Sequence, residues 1–126
     1  MEIIGTVTTG LGKAAYFLGQ DFYKNQFKEK LGFIPYPGTL NIIVEEDKLE
    51  NIIQMKNKCP NIIKPDQEFG AVKYISANLE NRVSGAIVFP AKTVHDENYL
   101  EFIAEDNLRD KLNLSDGDKV SLDIKI

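Results

Sequence analysis

The segments "EFGAVKYISANL" (residues 68–79) and "RVSGAIVFP" (82–90) decide the fold class. Both carry β-branched and aromatic residues, and only Glu80-Asn81 lies between them, enough for a turn and nothing more. Strands joined that directly do not belong to a parallel unit, whose strands are linked by crossover helices. Working outward, "EIIGTVTT" (2–9) alternates loosely and reads as a strand. A second strand, Thr39–Val44, is entered through the Pro37-Gly38 turn, and "YLEFIA" (99–104) is another short one. "LSDGDKVSLDIKI" adds a turn at Asp116-Gly117 and a final alternating strand.

Helical spacing is confined to a few places. In "QDFYKNQFKEKL" (20–31), Phe22, Tyr23, Phe27 and Leu31 recur among Lys, Glu and Gln, with Gly32 as the stop. "DKLENIIQM" (47–55) suits a short helix, and "EDNLRDKL" (105–112) a helix started by an acidic cap. "CPNIIKPDQ" reads as irregular. About six short strands with two or three short helices make the expected fold mainly β, a small closed barrel rather than a crossover sheet. Residues 1–126 are expected to form one domain.

With 43% hydrophobic and 27% charged residues, the chain can bury a core. No apolar run reaches the ~18–20 residues of a spanning helix, and "MEIIGTVTTG" lacks the basic flank and apolar centre of a signal peptide. A single cysteine, Cys59, excludes an intramolecular disulfide and fits a cytoplasmic setting; a single histidine beside it argues against a zinc or iron–sulfur cage. The net charge of -4 and the lack of a basic tract argue against nucleic acid as a partner. They do not argue against a small polyanion held by a metal and backbone N–H groups.

Three segments can carry chemistry. In "TGLGKAAYF" (9–17), Gly10 and Gly12 permit close backbone approach and Lys13 adds a cation, yet neither a Walker A loop nor G-x-G-x-x-G is present. In "YPGTLNI" (36–42), Thr39 and Asn41 lie two apart on a strand and present two neutral oxygens to one face. Such oxygens suit Mg²⁺ that is completed by phosphate and water; a pair that merely satisfies the backbone suits them equally. In "GAIVFPAKTVHDENYLEFIAEDNLRDKL", Thr93 and Glu101 flank a polar loop with Lys92, His95, Asp96 and Glu97. His95 in that acidic setting reads as solvated, and a helical i,i+3 partner would account for Arg109.

Taken together, "GLGKAAYFLG", "LGFIPYPGTLNI", "GAIVFPAKTVH", "LEFIA" and "NLRDKLNLSDGDKV" resemble, in order and spacing, the archaeal CTP-dependent riboflavin kinases. The resemblance runs from about Gly5 to Ile124 and is weakest between Asp47 and Asn81. It implies a six-stranded Greek-key barrel of the cradle-loop, riboflavin-kinase-like kind. It further implies transfer of the γ-phosphoryl group of CTP to the 5′-hydroxyl of riboflavin, giving FMN and CDP. By the same resemblance Gly10, Leu11, Gly12, Lys13, Ala14 and Ala15 would bind nucleotide, together with Asp106, Asn107, Leu108 and Arg109. Thr39 and Asn41 would hold Mg²⁺, and Thr93 and Glu101 would contact the flavin. Glu101 is also the candidate general base. A monomer that binds neither membrane nor nucleic acid is expected. One departure stands out: family loops often read G-L-G-E-G-R, whereas here Lys13-Ala14-Ala15 follow Gly12, without the third glycine and the arginine. The alternatives are a non-catalytic barrel, either a DNA-binding one of the kind that shares the Gly-Asp turn or a flavin-binding protein that has lost its nucleotide.

Overall fold

The computed structural model describes residues 1–10, 18–64, 70–90 and 98–125. Its strands are β1 (Glu2–Thr8), β2 (Leu40–Val44), β3 (Ile62–Ile63), β4 (Val72–Leu79), β5 (Val83–Pro90), β6 (Tyr99–Ile103) and β7 (Lys119–Ile124). The helices are α1 (Asp21–Leu31), α2 (Leu49–Lys58), which follows a 3-10 turn at Glu46–Lys48, and α3 (Leu108–Lys111). All pairings are antiparallel, in the order β3-β4-β5-β6-β2-β1-β7. Because β7 also pairs with β4, six strands close on themselves and β3 is an addition on β4. The β4-β5-β6 meander followed by β7 beside β4 is a Greek key. The expected barrel is therefore present, with one more strand than the sequence suggested, lying in the segment read as irregular.

Alternation builds two layers of packing. Ile3, Val7, Leu40, Ile42, Leu79, Ile87, Phe102 and Leu122 point inward and fill the barrel. On the outer face, Val72, Tyr74, Ala86, Val88 and Ile103 are covered by Leu18 and by Tyr23 and Phe27 of α1. That cover explains why "AIVF" in β5 is apolar without a break: both faces of the strand are buried. Phe27 meets the Tyr74 ring edge-on at 6.4 Å, and the Tyr23 hydroxyl donates to the Gly70 carbonyl at 2.9 Å. Of the four apolar residues expected on this helix, Phe22 turns outward and is 44% exposed. Gly32 ends the helix at φ 84°.

Two local expectations need correction. The helix expected over 105–112 narrows to α3, and its cap is Asn107, not an acid: the Asn107 Oδ1 accepts from the Asp110 N–H at 3.4 Å. Thr39 stands just before β2 rather than inside it. The turn between β4 and β5 falls where it was read; Glu80 and Asn81 both take left-handed φ, 55° and 53°, the Arg82 N–H closes on the Leu79 carbonyl at 3.0 Å, and Leu79 and Val83 are the last paired residues. Among the described residues no helix is long and apolar enough to cross a membrane.

Phe27 is fully buried, so Phe27→Ala should cost about 3–5 kcal/mol. Phe22→Ala, at an exposed position, should cost under ~1 kcal/mol. Urea unfolding of both variants measures this, and equal losses would contradict the docking of α1.

Candidate active site

The site forms where the end of β1, the entry to β2, the start of α3 and the turn before β7 meet. Asn41 is central: it is in register with Thr8 of β1 on one side and Glu101 of β6 on the other. Residues paired across strands share a face, so this register is what brings the three polar side chains together. Beyond β2 the pairing continues, because the Tyr36 N–H donates to the Ala104 carbonyl at 2.8 Å. The segments 36–41 and 101–106 therefore run side by side, and α3 follows at once.

Thr39 and Asn41 do meet. The Thr39 hydroxyl lies 3.4 Å from the Asn41 Oδ1 and 3.5 Å from the Glu101 Oε1, while the Asn41 Nδ2 donates to the Thr39 carbonyl at 3.4 Å. Glu101 is the one charged side chain that is buried among the described residues. Burying a carboxylate is costly unless it is partnered, so its place beside a hydroxyl and an amide is chemically informative. Gly10 closes this cluster from the β1 side. A Cβ on it would lie 2.5–2.6 Å from the atoms of the Asn41 amide, so any side chain there would force that amide to move. Three hard oxygens in one cluster, with no nitrogen or sulfur ligand beside them among the described residues, form a donor set that fits Mg²⁺.

A cavity of about 180 Å³ adjoins the cluster and shares Thr39 with it. Tyr36, Asp106, Asn107, Leu108 and Arg109 line its other sides. Within that wall the polar groups already have work. Asn107 caps α3 and donates from Nδ2 to the Tyr36 hydroxyl at 3.2 Å, and Asp106 pairs with Lys111 at 2.8 Å. Arg109 therefore does not take a helical i,i+3 partner. Its Nη2 donates to the Thr8 carbonyl at 3.0 Å and to the Asp116 Oδ1 at 2.6 Å, and the Thr9 hydroxyl donates to the other Asp116 oxygen at 2.6 Å.

Of the residues singled out in the sequence, Gly10, Thr39, Asn41, Glu101 and Asp106–Arg109 thus converge on one end of the barrel. Leu11, Gly12, Lys13, Ala14, Ala15 and Thr93 lie outside the described residues, as do Lys92, His95, Asp96 and Glu97. Tyr36, Thr9 and Asp116 were not singled out. "PYPG" and "SDGD" mark turns, and turn residues carry no signal of what they face.

Comparison with known proteins gives the same family as the motifs. The model for CTP-dependent riboflavin kinase, described as "Domain of unknown function DUF120", matches residues 7–124. A riboflavin kinase of Methanobrevibacter smithii is 71% identical over 123 residues, covering 98% of this chain and 99% of its own. One from Methanothermobacter thermautotrophicus is 47% identical, covering 92% and 93%. One from Saccharolobus solfataricus is 36% identical, covering 100% and 75%.

The hydrogen bond from Thr9, then the bond and positive charge of Arg109, hold the Asp116 carboxyl below its usual value of 3.8. A carboxyl lowered in the folded state contributes stability above its unfolded value, and that contribution is lost as pH falls through the folded value, here below about pH 4. In carboxyl-carbon NMR titrations, Asp116 should titrate below the ordinary range, and Arg109→Ala should raise its midpoint. An unchanged midpoint in the variant would refute the pairing in solution.

Proposed function

The chain belongs to the CTP-dependent riboflavin kinase family, and from that premise we propose that it transfers the γ-phosphoryl group of CTP to the 5′-hydroxyl of riboflavin, giving FMN and CDP. The observation that carries this reading is the oxygen cluster of Thr39, Asn41 and Glu101 adjoining the cavity walled by Asp106–Arg109. A cluster of hard oxygens beside a guanidinium-lined cavity suits a phosphate-bearing substrate better than it suits a passive barrel end.

In this reaction the O5′–Pγ bond forms, the bond from Pγ to the CDP oxygen breaks, and the 5′-hydroxyl gives up its proton. The transition state is loose, so catalysis rests on alignment and charge stabilisation. Thr39 and Asn41 would hold Mg²⁺ through their side-chain oxygens; the ion supplies charge neutralisation on the phosphate oxygens. The backbone from Gly10 to Ala15 and the segment Asp106–Arg109 would hold the nucleotide. Backbone groups of the latter segment are suited to pairing with the cytosine edge, and a site built for those bonds rejects a base that leaves them unpaired. Thr93 and Glu101 would anchor the flavin. Glu101 lies against the proposed metal ligands, so its carboxylate is also the candidate acceptor of the 5′-hydroxyl proton. The proposed setting is a cytoplasmic monomer, for which the lone and buried Cys59 offers compositional support.

The direct test is FMN formation from riboflavin and Mg²⁺ with CTP or ATP, read by chromatography. FMN is expected with CTP and little with ATP; FMN from ATP alone would overturn the donor, and none from either would overturn the activity. Thr39→Val and Asn41→Leu should each suppress Mg²⁺-dependent turnover in a folded protein, and normal turnover in both would refute the metal assignment.

For Glu101→Gln the expected result is a kcat lower by about 10²-fold or more with riboflavin affinity unchanged. A defect confined to riboflavin binding would leave Glu101 as an anchor only.

A further inference from the structure

The "SDGD" turn, which the sequence explains as a device for reversing the chain, carries a carboxylate that links two walls of the site. We propose that Asp116 is a positioning residue for the nucleotide, a role that rests on the kinase reading above. One Asp116 oxygen takes the Arg109 Nη2 at 2.6 Å and the other takes the Thr9 hydroxyl at 2.6 Å. Thr9 immediately precedes Gly10, where the segment proposed to hold phosphate begins, and Arg109 ends the segment proposed on the opposite wall. A single side chain therefore ties Thr9, at the end of β1, to Arg109 on the cavity wall.

The turn does not need this side chain to form. The Ser115 N–H is taken by the Asp118 carboxylate at 2.8 Å, the Asp118 N–H by the Ser115 carbonyl at 3.1 Å, and the Gly117 N–H by the Val7 carbonyl at 2.8 Å. Gly117 supplies the left-handed φ of 95°. Nor does the ion pair stabilise the fold to any great extent, since both partners are substantially solvent-exposed and such pairs contribute little. Its consequence is orientation. An arginine is long and flexible, and its guanidinium recognises phosphate through a planar fork. Here Nη2 is tied to both Asp116 and the Thr8 carbonyl, which sets the plane of the group at the cavity wall. Among the described residues Nε and Nη1 form no hydrogen bond, so the remaining donors of the fork are available to an anion.

The test is initial-rate kinetics on wild type, Asp116→Asn, Arg109→Ala and the double variant, with thermal unfolding of each. Asp116→Asn should raise KM for CTP about tenfold, since Asn keeps the size of the side chain and one acceptor but loses the charge. KM for riboflavin should change less than about twofold and the unfolding temperature hardly at all. In the Arg109→Ala background the same substitution should add little, because the group it positions is gone. The role is overturned if KM for CTP is unchanged, or if both KM values rise together with a loss of thermal stability. It is overturned also if the two single effects multiply in the double variant, or if KM for CTP falls, which would make Asp116 a competitor for the guanidinium. Wild type without FMN formation from CTP overturns the kinase reading and this role with it; active wild type with an indifferent Asp116→Asn overturns this role alone.

Discussion

The seating of β7 between β1 and β4 is the constraint on which the rest of the molecule depends. Leu122 pairs with Ile3 on one edge and with Leu79 on the other, so a strand from the last ten residues completes a sheet begun at the second residue. Open strand edges would otherwise remain on both neighbours. Closure also fixes which residues face in. Once inward positions are assigned to Ile3, Val7, Ile42, Phe102 and Leu122, the intervening residues must face out, and a slip of one position would reverse every side chain. The outward set then has two fates. On β4 and β5 it is apolar and covered by α1; at the junction of β1, β2 and β6 it includes Thr8, Asn41 and Glu101.

The same closure assembles the site across large sequence separations. Because β7 must begin beside β1, the turn before it is delivered to the end of β1, where the Val7 N–H donates to the Asp118 carbonyl and the Gly117 N–H to the Val7 carbonyl, both at 2.8 Å. Asp116 thereby comes within hydrogen-bond distance of Thr9, 107 residues earlier in the chain. The α3 helix connects β6 to that turn, and the Leu114 N–H bonds the Arg109 carbonyl at 2.9 Å. Arg109 is thus carried to the same corner by the path the chain must take to reach its final strand.

These relations explain which parts were legible in the sequence. Strand existence was, since alternation and turn chemistry are local, as at Glu80-Asn81, where two left-handed residues complete a hairpin. The Thr39/Asn41 pair was legible as well, because a spacing of two already implies a shared face. β3 was missed: two residues between prolines carry no periodicity, and only the edge of β4 makes them a strand. The partner of Arg109 was missed for a related reason. Helical spacing offered Asp106, but Lys111 holds that carboxylate and Asp116 lies on a separate turn. The location of Glu101 was readable as a strand position; its contact with Thr39 depends on strand pairing that no local pattern encodes.

Electrostatics then limits how such a corner can recognise a polyphosphate. The chain is acidic, and two cations at the described end of the site are already paired, Arg109 with Asp116 and Lys111 with Asp106, while the buried Glu101 carboxylate lies beside Thr39. A bare triphosphate would gain little Coulomb attraction from this arrangement. In the proposed reaction, recognition would draw on directed hydrogen bonds, which a paired guanidinium still donates, and on a divalent ion held beside Glu101. Neutral ligands suit that division. Thr39 and Asn41 can share an ion with phosphate oxygens without competing as strongly for it as two further carboxylates would. In that proposal the ion would belong mainly to the nucleotide, and the barrel would contribute the register that sets Asn41 beside the strand carrying Glu101.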